Sequence, residues 1–85
     1  MACYSLEIKK SAYKEIRKLP KTAIAPIVEA IGKLADDPRP PGCKKLTGEE
    51  KYRLRVGAYR ILYTIEDQKL VVYVVRVAHR KEAYR

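Results

Sequence analysis

A chain of 85 residues has apolar surface for one small hydrophobic core and no second, so residues 1–85 read as a single domain and multidomain schemes are excluded. With 47% hydrophobic and 34% charged residues in patterned runs, the composition is globular rather than disordered. The formal net charge of +9 calls for a polyanion or an acidic partner, and it is uneven: +3 over residues 1–50 against +6 over 51–85.

Tyr4, Leu6 and Ile8 alternate with polar residues, the period of a half-buried strand. Ser11 then offers a side-chain cap, and Ala12, Ile16 and Leu19 follow at helical spacing up to Pro20. From Thr22 to Ala35, the residues Ile24, Ile27, Val28, Ile31, Leu34 and Ala35 mark one face of an amphipathic helix, with Pro26 tolerated near its start. The segment Asp36-Asp37-Pro38-Arg39-Pro40-Pro41-Gly42 cannot stay helical and predicts a rigid loop into Lys44-Lys45-Leu46. Three strands follow, over Tyr52–Val56, Tyr59–Glu66 and Leu70–Ala78, separated by turns at Gly57-Ala58 and Asp67-Gln68-Lys69. Val71, Val72, Val74 and Val75 put apolar residues on both faces of the last strand, which predicts an interior strand covered on both sides. The predicted fold is α+β, in the order β-α-α-β-β-β. It has an N-terminal strand and a helical hairpin that packs on one face of a small, antiparallel-rich sheet, leaving the other face for function.

Six of the nine basic residues in the second half are arginines, Arg53, Arg55, Arg60, Arg76, Arg80 and Arg85. Arginine's planar fork matches a phosphate bidentately. On a strand Arg53 and Arg55 project to one side, and a hairpin turn at Gly57 brings Arg60 across to them. Like charges so close are most comfortable around an anion, so the cluster predicts phosphate binding; the plainer reading is a set of solvated surface arginines. Where the last strand runs out, Arg80 and Tyr84 share a face if the chain turns helical, and nearby guanidinium groups would favour a phenolate. His79 is the one histidine and a possible acid or base, although a strand-end histidine more often serves a structural hydrogen bond. Lys44, Lys45, Arg76 and Lys81 are candidate RNA contacts around this cluster. Cys3 and Cys43 are too few for a zinc site, so no metal and no cofactor are expected. No leader-like or membrane-length apolar run is present, which predicts a reduced, cytoplasmic protein without membrane association.

Taken together, Lys45-Leu46-Thr47-Gly48, the run from Tyr52 to Tyr63 (Tyr-Arg-Leu-Arg-Val-Gly-Ala-Tyr-Arg-Ile-Leu-Tyr) and Val77-Ala78-His79-Arg80 to Tyr84 resemble the RelE branch of the RelE/ParE toxin superfamily over essentially the whole chain. The resemblance implies a ribosome-dependent endoribonuclease that cuts messenger RNA in the A site and is held inactive by a cognate, RelB-like antitoxin. It implies catalytic roles for Arg53, Arg55, Arg60, Arg80 and Tyr84. The first two positions are often lysines in the family, and Ala78 stands where many relatives have glycine. The alternatives are a ParE-like DNA gyrase inhibitor without nuclease activity, on the same scaffold, and a basic RNA-binding module without catalysis.

Overall fold

The structure, a computed structural model, describes residues 3–79 and 81. Its elements are β1 (Ser5–Ile8), α1 (Lys10–Arg17), α2 (Lys21–Lys33), β2 (Lys44–Lys45), β3 (Tyr52–Val56), β4 (Tyr59–Glu66) and β5 (Val71–His79). They form one five-stranded sheet in the order β1-β5-β4-β3-β2, antiparallel throughout except for the parallel pair β1 and β5. The predicted α+β order is therefore present, with the two-residue strand β2 added to it. No helix among the described residues is long and apolar enough to cross a membrane.

The helical hairpin covers one face of the sheet. Ala12 and Ile16 of α1, Ile27 and Ile31 of α2, and Leu34 just beyond it meet Ile61, Tyr63, Val72, Val74 and Val77 in a single core. Tyr52, Leu54, Val56, Tyr59 and Ile65 pack around it, so alternate residues of β3 and β4 point toward the helices. Full burial of one such aliphatic side chain stabilises by roughly 1.5–3 kcal/mol, which makes this layer the main source of cohesion.

Helix α1 starts two residues earlier than the Ser11 cap predicts. Lys9 occupies the N-cap and makes no side-chain capping bond, since its ammonium has no acceptor to offer, while its amide donates to the Val74 carbonyl at 2.9 Å. The chain is thus strand-paired until the residue before the helix. Helix α2 begins at Lys21 behind Pro20, whose carbonyl accepts from the amides of Ala23 and Ile24 at 2.8 and 3.2 Å.

Strand β5 is interior to the sheet, between β1 and β4, but it is not covered on both faces. Val72, Val74 and Val77 are buried against the helices, whereas Val71, Tyr73 and Val75 are half-exposed. A bulge accounts for the misleading valine pattern. The register runs Tyr63 to Val74 and Leu62 to Arg76, leaving Val75 without an opposite residue and reversing the inward phase from even to odd positions. Leu70, predicted as the first strand residue, instead closes the β4–β5 turn with φ 54°. Its carbonyl accepts from the Ser5 amide at 2.7 Å, which ties that turn to the start of β1.

The loop after α2 is fastened by aromatic and ionic contacts. The buried Tyr63 hydroxyl donates to the Pro38 carbonyl at 2.8 Å, and its ring stacks on Tyr52 with centroids 5.8 Å apart. Burial raises the Tyr63 hydroxyl pKa well above its ordinary value. Arg39 forks onto both Asp67 oxygens at 3.2 and 2.9 Å and donates from Nε to the Tyr52 hydroxyl at 3.2 Å. The Tyr4 hydroxyl donates to Asp67 at 2.7 Å. Hydrogen bonds from Arg39 and then Tyr4 hold the Asp67 carboxyl at about 2, below its ordinary 3.8. Cys3 and Cys43 are both free thiols.

Candidate nucleic-acid interface

The face of the sheet away from the helices carries the arginines. Since Tyr52, Leu54 and Val56 point into the core, Arg53 and Arg55 project outward, and the same alternation in β4 turns Arg60, Leu62 and Thr64 outward. A two-residue turn with Gly57 at φ 59° joins the strands, the geometry that suits a tight hairpin with glycine at its first central position. This turn sets Arg55 directly opposite Arg60, and Arg53 opposite Leu62. With strands roughly 5 Å apart and alternate residues about 7 Å apart along a strand, three guanidinium stems rise from one small patch.

Two cross-strand rows define the surface. One runs Lys44, Arg53, Leu62, Arg76, and the other Arg55, Arg60, Ala78. Leu62 and Ala78 are 8% and 6% exposed, although both described helices lie on the opposite face. In register, Leu62 lies between two arginines, whose long apolar stems can cover it, so it forms an apolar floor among the cations. Arg55 is exposed, whereas Arg53 and Arg60 are half-buried with their Nε atoms shut off from solvent. Beside them Pro41, Gly42, Lys44, Arg53, Leu54 and Arg55 line an open groove of about 290 Å³. The far end of the same face is different in character: Glu7 and Glu66 join Thr64, Lys69, Val71 and Tyr73 around a second depression. Attraction for an anion is therefore concentrated at the β3–β4 turn.

The sequence-derived candidates divide accordingly. Arg53, Arg55, Arg60 and Lys44 come together. Lys45 pairs with Tyr52, on the helix side, and its ammonium lies 3.4 Å from Glu50. Arg76 follows the bulge, and its Nε lies 3.4 Å from Glu15 of α1. His79 is opposite Tyr59, hence on the helix side as well; its ring meets that of Tyr59 edge-on at 5.6 Å, and its Nδ1 accepts from the Lys81 amide at 3.3 Å. Lys81 is exposed one residue beyond the candidate Arg80. Arg80 and Tyr84 lie outside the described residues. The register nonetheless places Ala78 against Arg60 and His79 against Tyr59, so β5 ends at the arginine-rich end of the sheet. Leu62 and Ala78 were not among the candidates. The only sequence signal for them is an apolar residue on the strand face that also bears arginines.

This fold has counterparts among known proteins. The family described as "ParE toxin of type II toxin-antitoxin system, parDE" matches residues 6–84, and the chain belongs to that family of toxins. Toxin RelG of Mycobacterium tuberculosis is 35% identical, the alignment covering 96% of this chain and 97% of that one. The mRNA interferase toxin RelE of Escherichia coli K12 is 32% identical over 94% of this chain and 86% of its own. Among solved structures, the archaeal RelE-RelB complex from Pyrococcus horikoshii superposes with a TM-score of 0.83 at 28% identity, covering 98% of this chain and all of that one. Within its family the chain is a RelE-type toxin.

Proposed function

We propose that this toxin is a ribosome-dependent endoribonuclease that cleaves messenger RNA in the A site and thereby stops translation. The observation that carries the reading is the convergence of Arg53, Arg55 and Arg60 on the helix-free face of the sheet, at the end where β5 finishes. The name of the Escherichia coli relative, an mRNA interferase, supports the choice of RNA as the substrate.

In the proposed reaction the RNA supplies its own nucleophile, so the chemistry needs no metal. The 2′ oxygen bonds to the adjacent phosphorus while the bond from phosphorus to the 5′ oxygen breaks, leaving a 2′,3′-cyclic phosphate and a 5′-hydroxyl end. The 2′-hydroxyl proton passes to Tyr84 as a phenolate, favoured by the positive field of Arg53 or Arg55. Arg60 grips the scissile phosphate, and Arg80 neutralises the charge that develops on the leaving 5′ oxygen, which takes a proton from water to become the 5′-hydroxyl. Lys44, Arg76 and Lys81 guide the flanking backbone. The ribosome pre-organises the message, which spares the enzyme the entropy of ordering a free strand.

The partner that holds this activity in check is an antitoxin, acidic in its neutralising segment, and complexes such as that of the archaeal RelE with RelB support this assignment. Purified toxin, programmed ribosomes and mapping of message ends test the proposal. Arg80→Ala and Tyr84→Phe should each slow cleavage by roughly 10²–10⁴-fold. Wild-type rates for both would remove them from the site. The parDE description of the matching family supports a second reading, inhibition of DNA gyrase. DNA breaks with continuing translation after induction would favour that reading, and arrested translation with cut messages would favour cleavage.

A further inference from the structure

The arginine face of the sheet carries a second set of side chains that the cleavage chemistry does not use. Inward Val72 and Val74 turn Tyr73 outward, and the register sets it between Thr64 of β4 and Glu7 of β1. Among the described residues, Tyr73 is the one aromatic on this face. Tyr52, Tyr59, Tyr63 and His79 lie on the helix side, Tyr4 packs against the core and Tyr13 stands on α1. Tyr73 and Thr64 are half-exposed and Glu7 is exposed, and no hydrogen bond or ion pair among the described residues engages their side chains. With Glu66, Lys69 and Val71 they line a depression of about 440 Å³, within the roughly 300–1,000 Å³ of small-ligand clefts.

This row is continuous with the cationic patch. Along β4 the outward residues run Arg60, Leu62, Thr64, and four residues of strand place Thr64 roughly 13 Å from Arg60. An extended single strand of RNA covers that separation in a step or two. A message held by its phosphates on Arg53, Arg55 and Arg60 therefore passes over Tyr73 as it follows the sheet. Charge decides which part of it lies there. Glu7 and Glu66 repel phosphates, whereas a base presents a flat ring to tyrosine and N–H groups to a carboxylate. Strands spaced about 5 Å apart put Glu7 and Thr64 near the two edges of a base stacked on Tyr73.

We infer that Tyr73, flanked by Glu7 and Thr64, reads one base of the message beside the cut and favours adenine, cytosine or guanine over uracil. Such a site rests on the reading of the chain as a ribosome-dependent nuclease and gives that nuclease a sequence preference. Stacking on an aromatic ring is indifferent to sequence, since every base has a π-face. Selection comes from Glu7, an acceptor without a donor. Adenine, cytosine and guanine each carry an exocyclic amino group that donates to a carboxylate, whereas uracil offers a single N–H between two carbonyls, whose oxygens repel it. Thr64 both donates and accepts, so it holds the opposite edge of any base without choosing.

The test is equilibrium binding of the full chain to ribosomes programmed with uncleavable messages, 2′-deoxy at the scissile nucleotide, in which each base near the cut is in turn adenine or uracil. At one position the wild type should bind the adenine message more tightly by roughly 5–150-fold, the range of one well-made base contact. Glu7→Gln should bring that ratio close to one, because its amide donates to uracil as readily as its oxygen accepts from adenine. Tyr73→Leu should weaken binding to both messages by roughly 5–150-fold, and Tyr73→Phe, which keeps the ring, should not. Glu29→Gln, at an exposed residue of α2, should leave affinity and ratio alone. Equal binding of both messages at every position, or a preference that survives Glu7→Gln, overturns the inference. So does wild-type affinity in Tyr73→Leu, and loss of antitoxin binding by that variant would then give the face to a protein. Cleavage of an all-ribose message by the wild type is scored separately: an intact message with the base preference preserved removes the nuclease reading and leaves the base-reading site.

Discussion

Arg55 and Arg60 face each other across the β3–β4 hairpin, and like charges so placed work against the fold by roughly 0.2–1 kcal/mol. Arg55 is the exposed member, so Arg55→Gln should raise stability by about that amount in urea denaturation while lowering the rate of message cleavage. A variant that neither gains stability nor loses rate would show that Arg55 is simply solvated. Alternation and the glycine turn sufficed to bring these residues together on paper, because both are local. Tyr63 shows the opposite case. Its place on the inner face is legible from the same alternation, but its hydroxyl bond to Pro38 joins residues 25 apart across a loop, and no local period reports that. Tyr63→Phe should cost about 1–2 kcal/mol, since it leaves a buried carbonyl without its donor. Thermal denaturation measures this directly, and an unchanged midpoint would mean that water replaces the hydroxyl.

At the scale of elements, the helices and the three long strands follow from periodicity, whereas the features that set their relative positions do not. The parallel pairing of β1 with β5, the two-residue strand β2 and the bulge at Val75 all depend on partners distant in sequence. The bulge in particular shifts the inward phase within one run of valines, so a single alternation cannot describe it. Glu15 belongs here as well. Pairing between β1 and β5 ends at Ile8 and Val74, and beyond that point the open edge of β5 presents the Val77 amide to α1. Glu15 accepts this amide and thereby continues the edge pairing that β1 gives up. Its acidic side chain within a helix otherwise rich in lysine is the only hint of this in the sequence. Glu15→Ala should cost about 1–3 kcal/mol and speed hydrogen exchange at Val77. Exchange at Val77 as slow as in the wild type would show that the amide is protected by something else. As for the candidate site, the outward arginines are legible from strand period and Leu62 and Ala78 only from the assembled sheet, whereas Arg80 and Tyr84, raised by their four-residue spacing and by the family resemblance, lie outside the described residues.

At the scale of the whole molecule, Asp67 is the point where the two ends of the fold are drawn together. It sits in the β4–β5 turn, takes both arms of Arg39 from the loop after α2, and accepts from Tyr4 just ahead of β1. Three segments far apart in sequence are fastened through one carboxylate. These bonds need the ionised form, and they depress its pKa from 3.8 to about 2. A group depressed in the folded state lends stability that is complete above the unfolded value, near 4, and is lost as pH falls through the folded one. The stability of the wild type should therefore decline between about pH 4 and pH 2 in part through this residue, while Asp67→Asn should be less stable at pH 7 and flatter across that acid range. The side chain is 54% exposed, so solvent screening keeps the effect modest, and high salt should shrink it further. Thermal midpoints of the two proteins, measured from pH 7 down to pH 2, decide the matter. Curves that stay parallel over the whole range would mean that Arg39 and Tyr4 hold the loop equally well without the charge, and that the fastening lies instead in the stacked Tyr52 and Tyr63 rings beneath it.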